Sequence, residues 1–198
     1  MSESIIALIG FAVAATVSPG GATALATASG IRFGYARSLP LVIGMASSLA
    51  VLISVSALGL AAVILALPAL ALVMKLAGSA YLVWLAWLIG RAGAPDTSGR
   101  QVERPFGYLG GMMLTLVNPK AWAMALGVAG SFAELSPDPA TLVLNLAVTF
   151  GGCGFLALSG WTMFGAMLAR LLQTSRQWHV VNAFLALMLI VSIATFWL

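Results

Sequence analysis

Six apolar stretches, each long enough to cross a lipid bilayer, make up most of this 198-residue chain. They cover residues 4–29, 39–66, 69–90, 106–131, 140–168 and 179–198. A spanning helix needs about 20 predominantly apolar residues, and each stretch supplies that number or more. With 62% hydrophobic and 7% charged residues, the composition is unlike that of soluble domains. The sequence therefore predicts an all-α membrane protein with six transmembrane helices.

The connections between these stretches, numbered alternately, form two faces of opposite charge. One face carries Arg32, Arg37, Arg91, Arg100, Arg104, Arg170 and Arg176, and the other carries Glu3, Glu134 and Asp138 without any Lys or Arg. Positively charged residues in short loops remain cytoplasmic. We therefore expect the arginine face to lie inside and both chain termini to lie outside.

A polar, turn-rich segment at residues 91–105 divides the chain into two halves. Each half contains three spans, and because three is odd, the second half (106–198) must be inverted relative to the first (1–90). Inverted repeats recur among secondary transporters. The sequence thus predicts a single transmembrane domain built as two inverted three-helix repeats joined by a cytoplasmic linker.

Both halves carry a proline in the middle third of their opening span. Proline inside a helix removes a backbone hydrogen bond and clashes with the preceding turn. Pro19 and Pro119 follow Ser18 and Asn118, which are favoured helix N-caps. Each site is therefore predicted to end one half-helix and begin another in mid-membrane, with unpaired N–H groups facing the interior. The alternative is a pair of simple proline kinks.

Glycine and lysine residues beside these prolines favour the binding of an anion or a carboxylate. Gly20 and Gly21 leave room for a ligand next to the first break. Lys120 follows Pro119 and lies too deep to reach a membrane surface, and ionisable residues at such depth face the protein interior or water. Lys75, in the third span, either joins this site or extends to the outer surface.

Composition also bears on other kinds of site. The six stretches contain no Asp or Glu, which argues against an acidic proton relay and against a cation channel with a carboxylate ring. The single cysteine, Cys153, cannot form an internal disulfide or a cysteine metal cluster. We therefore expect no enzyme activity, catalytic residue, metal or other cofactor. The arginine loops account for the net charge of +4, so nucleic acid is not an expected partner.

Three motifs resemble those of the LysE/RhtB family of bacterial amino-acid exporters. They are Ser18-Pro19-Gly20-Gly21 in the first span, Lys75-Leu76-Ala77-Gly78-Ser79-Ala80-Tyr81-Leu82 followed by Trp84-Leu85 in the third, and Asn118-Pro119-Lys120-Ala121 in the fourth. The resemblance covers nearly the whole chain. It implies a secondary exporter of amino acids or close derivatives in the bacterial inner membrane, coupled to the proton gradient.

Two departures from the family pattern bear on substrate and energetics. Gly21 replaces the second proline of a Pro-Gly-Pro signature, which predicts a looser first break. Ser47 and Ser48 stand where many members carry an acid, so the expected proton carrier is missing and a strongly cationic substrate is disfavoured. These serines either bind the ammonium group or polar side chain of the substrate, or are small packing residues. Small neutral amino acids are therefore the favoured substrates.

The resulting hypothesis is alternating access between the two halves. The substrate carboxylate would bind at the half-helix starts at Gly20–Gly21 and Ala121, with Lys120 supplying charge. The alternative is a small channel or leak pathway for an anionic or zwitterionic solute, with the same basic site and no rocking motion. Membrane lipid would surround the spans, and a homodimer is compatible with the small size of the chain.

Overall fold

The computed structural model describes residues 2–60, 66–92, 105–132 and 135–197, which form an all-helical fold. The seven α-helices of these residues are α1 (Ser2–Val17), α2 (Gly21–Val55), α3 (Pro68–Arg91), α4 (Tyr108–Leu116), α5 (Pro119–Ser131), α6 (Pro139–Leu171) and α7 (Ser175–Trp197). A short π-helical segment, Ser56–Leu60, extends α2. The predicted linker lies mostly outside the described residues.

Helix α2 reverses direction at Gly34, the one residue inside it with non-helical backbone angles (φ 75°, ψ 171°). The hydroxyl oxygens of Ser29 and Ser38 are 2.7 Å apart, whereas nine residues of straight helix span about 13.5 Å. Residues 21–33 and 35–55 are therefore the two arms of a helical hairpin, here called α2a and α2b.

This reversal lies between the first two predicted spans, where the sequence predicts a connection over residues 30–38. The connection is much tighter than expected, because a single glycine makes the turn. Gly34 has a positive φ that residues with a Cβ rarely adopt. Arg32 and Arg37 flank this turn and are both exposed, as expected for residues of a loop at one end of the bundle.

Helices end and begin again at both proline sites. Helix α1 ends at Val17 and α2a begins at Gly21, while α4 ends at Leu116 and α5 begins at Pro119 with a bend of 66°. Among the described residues, three helical segments are long and apolar enough to cross a membrane, or four if the bent pair is one span. The segments are Gly21–Gly59, Pro139–Leu171 and Ser175–Ile193. The arrangement of six spans remains a prediction.

The start of α6 is fixed by a side-chain cap. The carboxylate of Asp138 accepts hydrogen bonds from the Thr141 hydroxyl (2.6 Å) and backbone N–H (2.9 Å), and Pro139 is the first helical residue. These hydrogen bonds, first of all that from the hydroxyl, lower the pKa of Asp138. An ionised N-cap also interacts favourably with the helix dipole.

The buried apolar side chains form two clusters, and the chain passes from one to the other at each helix break. The first cluster includes Leu25 of α2a and Leu114 of α4. The second includes Leu8 of α1, Ala125 of α5 and Phe150 of α6. The first break thus leads from the second cluster to the first, and the second break leads back in the opposite sense.

Glycines allow the backbones of α2 to approach those of α6 and α4. A Cβ at Gly30 would lie 2.0 Å from the carbonyl oxygen of Thr162, and one at Gly165 would lie 2.2 Å from the α2a backbone. A Cβ at Gly44 would lie 2.1 Å from the carbonyl oxygen of Tyr108. Small residues at such contacts are typical of packed membrane helices.

We predict that Gly30→Ala lowers thermal stability, because the added methyl group must push α2a and α6 apart. Overpacking of this kind costs about 1–3 kcal/mol. Gly152→Ala is the matched control, since no atom other than those of its chain neighbours and its own helix backbone lies within 4 Å of its Cβ position. The melting temperatures of both variants in detergent, monitored by circular dichroism, measure the effect. Equal melting temperatures would contradict the close helix contact.

Candidate functional site

The two helix breaks meet through the side chain of Lys120. Its Nζ donates hydrogen bonds to the backbone carbonyl (2.6 Å) and the hydroxyl (2.7 Å) of Ser18. The alkyl chain passes Gly20, where a Cβ would lie 3.0 Å from Lys120 Cδ. Because the last carbonyl groups of a helix form the negative end of its dipole, the ammonium group is attracted to the end of α1. The structure thus brings three predicted site residues into contact.

The charge of Lys120 has only neutral acceptors in these contacts. Both acceptor atoms belong to Ser18, and the predicted spans contain no Asp or Glu that could pair with the ammonium group. Lys120 is half-buried. Burying a cation without a counterion is costly, and these contacts provide Lys120 with none.

The second break has the local structure that its sequence predicts. Pro119 is the first residue of α5, and the Asn118 side chain caps the helix by accepting a hydrogen bond from the Lys120 N–H (3.1 Å). The Ala121 N–H donates to the Asn118 carbonyl (3.0 Å). Both N–H groups therefore have partners, so the expectation that they would be unpaired is wrong in this structure.

The first break differs from the prediction by two residues. Ser18 belongs to the end of α1, since its N–H donates to the Ala14 carbonyl (3.2 Å) and its hydroxyl to the Ala15 carbonyl (3.0 Å). The N-cap of α2a is Gly20, which has extended backbone angles (φ 176°, ψ −169°). The prediction of Ser18 as an N-cap is therefore wrong, because the extended backbone at Gly20 delays the helix start.

The N–H groups at the start of α2a also have partners. The Gly20 N–H donates to the Thr23 hydroxyl (2.8 Å), and the Gly21 N–H to the hydroxyl of Ser192 on α7 (3.4 Å). Sequence reasoning missed Thr23 and Ser192. Thr23 has a recognisable signal, a threonine three residues after the cap position, whereas the role of Ser192 depends on tertiary contact. A ligand that used these N–H groups would have to displace a hydroxyl.

Two tryptophans satisfy carbonyl groups at the ends of the interrupted helices. The Trp161 indole donates to the Val17 carbonyl (3.1 Å), and the Trp122 indole donates to the Leu116 carbonyl (2.7 Å). The last carbonyls of a helix lack intrahelical partners, and lipid offers none. Sequence reasoning missed both residues. The available signal is a donor-only indole inside an apolar stretch.

Ser47 and Ser48 lie between α2b and α4. The Ser47 hydroxyl is hydrogen-bonded to the Tyr108 hydroxyl (3.0 Å), and the Ser48 hydroxyl donates to the Met112 carbonyl (3.3 Å). The structure gives them no hydrogen bond to Lys120, and their contacts agree with the packing alternative. They join α2b to the half-helix that precedes the second break.

Lys75 is half-buried on α3, one helical turn before Gly78. A Cβ at Gly78 would lie 2.5 Å from the Val117 carbonyl oxygen, so this part of α3 packs directly against the second break. Residues three apart share a helix face. Lys75 therefore lies on the face of α3 that contacts the break, one turn away from it.

A small cavity lies beside the Lys120 contacts. It has a volume of about 40 Å³ and its lining includes Gly20, Thr23, Asn118 and Lys120. This is room for roughly three water molecules and too little for an amino acid. A larger cavity of about 320 Å³ borders the same lysine side chain and is lined mainly by residues of α7, so the Lys120 site is confined on the side of the small cavity and open towards α7.

Apolar helices interrupted beside a half-buried lysine are compatible with a membrane transport protein, and the comparison with known families shows that class. Residues 13–196 match the family described as LysE type translocator. The chain therefore belongs to the LysE family of membrane transporters.

Individual relatives are distant. An uncharacterized membrane protein of Vibrio cholerae serotype O1 is 28% identical over 167 residues, which cover 82% of this chain and 81% of the relative. The cysteine/O-acetylserine efflux protein of Escherichia coli strain K12 is 26% identical over 171 residues, which cover 85% of this chain and 86% of the relative. A protein of the same name from Shigella flexneri serotype 5b has the same similarity. No solved structure matches the chain significantly.

We predict that Asn118→Ala destabilises the protein by about 1 kcal/mol, because the Lys120 N–H loses its capping acceptor. Asn118→Ser is the control, since serine supplies an acceptor at the same position. Thermal unfolding in detergent compares the two variants with the wild type. A serine variant as unstable as the alanine variant would show that the cap is not what Asn118 contributes.

Proposed function

We propose that this chain exports small neutral amino acids, or close derivatives of them, from the cytoplasm by alternating access. Membership of the LysE family and the names of the efflux relatives support export. The observation that carries the site is the ammonium group of Lys120, held only by neutral oxygens where the two helix breaks meet. A substrate carboxylate is the counterion that this position lacks.

The proposed architecture is six spans in two inverted repeats, interrupted near Pro19 and Pro119. Three features of the fold support it. The half-helices that follow the breaks, 21–33 and 119–131, are of equal length, and the two breaks cross between the buried clusters in opposite senses. An indole N–H also binds a terminal carbonyl at both breaks. Rocking of one half against the other would expose the site alternately to each side.

Exchange of hydrogen bonds at Lys120 is the proposed binding step. An ammonium group has three N–H donors, and Ser18 accepts two of them. A carboxylate accepts stronger hydrogen bonds from a cation than a neutral carbonyl or hydroxyl does. A bound substrate would therefore take over donors of Lys120 and weaken its contact with Ser18, which is one of the hydrogen-bonded contacts between the two halves.

Charge explains the preference for neutral side chains. A cationic side chain would find no carboxylate in the predicted spans and would be repelled by Lys120. Cysteine and O-acetylserine, the compounds in the names of the efflux relatives, both have uncharged side chains. We extend this substrate class, small and zwitterionic, to the present chain.

Orientation and coupling complete the proposal. The arginine face lies in the cytoplasm of a bacterial cell and both termini lie outside its inner membrane, following the distribution of arginines. The family resemblance implies coupling to protons, but the predicted spans contain no carboxylate that could carry them. Lys75, Lys120 and His179 at the edge of the last span are the basic groups within the predicted spans.

Counterflow of radiolabelled cysteine, serine and O-acetylserine in proteoliposomes tests this function. We predict that wild type exchanges at least one of them and that Lys120→Met lowers the exchange roughly 30-fold or more, as expected when a buried charge pair loses one partner. Arg176→Gln is the matched control, because it removes a positive charge from an exposed position at the start of α7.

Equal exchange by Lys120→Met and wild type would remove Lys120 from the binding site. A leak of these solutes without counterflow would overturn the carrier in favour of a channel.

A further inference from the structure

Another cavity lies apart from the Lys120 contacts, at the arginine end of the bundle. Its volume is about 210 Å³ and helices α2, α3, α4 and α7 contribute to its lining. Arg32 and Phe33 line it beside the Gly34 turn, and Ala92 lines it at the end of α3. Arg32 is exposed. The cavity thus opens beside the positive charge of Arg32, and most of its other lining residues are apolar.

The deep end of this cavity is one helical turn from the helix breaks. Leu25, Leu85 and Leu114 line the cavity and are buried, with exposures of 7%, 3% and 3%. Leu25 and Leu114 are each four residues from a residue of a break, Gly21 and Asn118, so that about 6 Å of helix separates them. These three leucines belong to one buried cluster and are here called the leucine layer.

The same layer reaches the first break through α3. Leu85 lies one turn after Leu82, and a Cβ at Gly21 would lie 3.5 Å from the Leu82 side chain. On the other side of the breaks, the second cluster is tightly packed: Val128, Leu146 and Phe150 have no exposed surface. This conformation therefore has an open cavity at the arginine end, whereas these three side chains beyond the breaks are fully buried.

We propose that this cavity is the cytoplasmic vestibule of the substrate path, with Arg32 attracting the carboxylate and Leu25, Leu85 and Leu114 forming an apolar gate in front of Lys120. This inference rests on the proposed function and adds an entry site to it. A charge at the mouth of a low-dielectric cleft concentrates ions of opposite sign. An apolar constriction excludes water and charged groups until it widens. The carboxylate would thus pass from Arg32 to Lys120 when the leucine layer opens.

Cysteine labelling in membrane vesicles tests the vestibule without measuring transport. In a Cys153→Ala background, Ala28→Cys places a thiol on the cavity wall, because Ala28 is half-buried and lines the cavity. The reagents are membrane-impermeant methanethiosulfonates that carry either a sulfonate or a trimethylammonium group. Val148→Cys, on the exposed apolar surface of α6, is the control for reaction through lipid.

We predict that Ala28→Cys reacts in inside-out vesicles and not in right-side-out vesicles, and that the sulfonate reagent reacts faster. Arg32→Gln should lower the ratio of sulfonate to trimethylammonium rates about tenfold. Arg176→Gln, which removes a charge that does not line the cavity, should leave the ratio unchanged. Reaction from the outside only, or a ratio insensitive to Arg32, would overturn the vestibule.

A second thiol tests the gate. Ala22→Cys lies beyond the leucine layer, since Ala22 lines the small cavity beside Lys120. Its reaction from the cytoplasmic side should be slow, and several-fold faster when combined with Leu114→Ala. Leu114→Met, which conserves side-chain volume, should leave the rate low and shows whether position 114 tolerates change. Fast reaction with Leu114 intact would remove the gate.

These outcomes are separable from the proposed function. If the wild type shows no counterflow but Ala28→Cys and Ala22→Cys give the predicted labelling, the vestibule is a cavity open to the cytoplasm and amino-acid export is rejected. Counterflow that depends on Lys120, combined with labelling of Ala28→Cys only from outside, would keep the exporter and reject this entry path.

Discussion

The contact between Lys120 and Ser18 joins the two helix breaks, and the candidate site is built around it. The ammonium group lies 2.6 Å from the Ser18 carbonyl oxygen, and Lys120 is the second residue of α5. It therefore neutralises the end of one half-helix while it sits at the beginning of another. Because the contact joins residues 102 positions apart, any ligand that competes for the ammonium group also weakens the connection between the halves. This is how charge recognition and helix movement can be linked in so small a protein.

Interrupting helices in a membrane is costly unless every exposed backbone group finds a partner. Here the C-terminal ends use the indoles of Trp161 and Trp122, and the N-terminal ends use the side chains of Thr23, Ser192 and Asn118. These backbone groups at the breaks therefore have partners before any substrate arrives. Binding must proceed by exchange of hydrogen bonds, and the lysine is the one group that gains a charge partner from that exchange.

The sequence predicted features that depend on local rules and missed those that depend on tertiary contacts. Asn118 and Pro119 form the expected helix start, because capping and the fixed φ of proline act within a few residues. The first break begins its helix later than predicted, since Gly20 adopts an extended backbone that no propensity rule dictates. The indole hydrogen bond of Trp161 to Val17 spans 144 residues and leaves no periodic signal. The apolar pattern predicted a connection over residues 30–38, but it did not show that Gly34 alone makes the turn, which depends on its backbone angles and brings Ser29 to Ser38.

We propose that the ammonium group of Lys120 binds the carboxylate of a small neutral amino acid. Thermal stabilisation of the purified protein by cysteine, compared with its decarboxylated analogue cysteamine, tests it most directly, because a ligand that binds the folded state raises the melting temperature. We expect cysteine to stabilise the wild type and cysteamine not to, and we expect neither compound to stabilise Lys120→Met. Equal stabilisation by both compounds, or an undiminished response of Lys120→Met to cysteine, would contradict it.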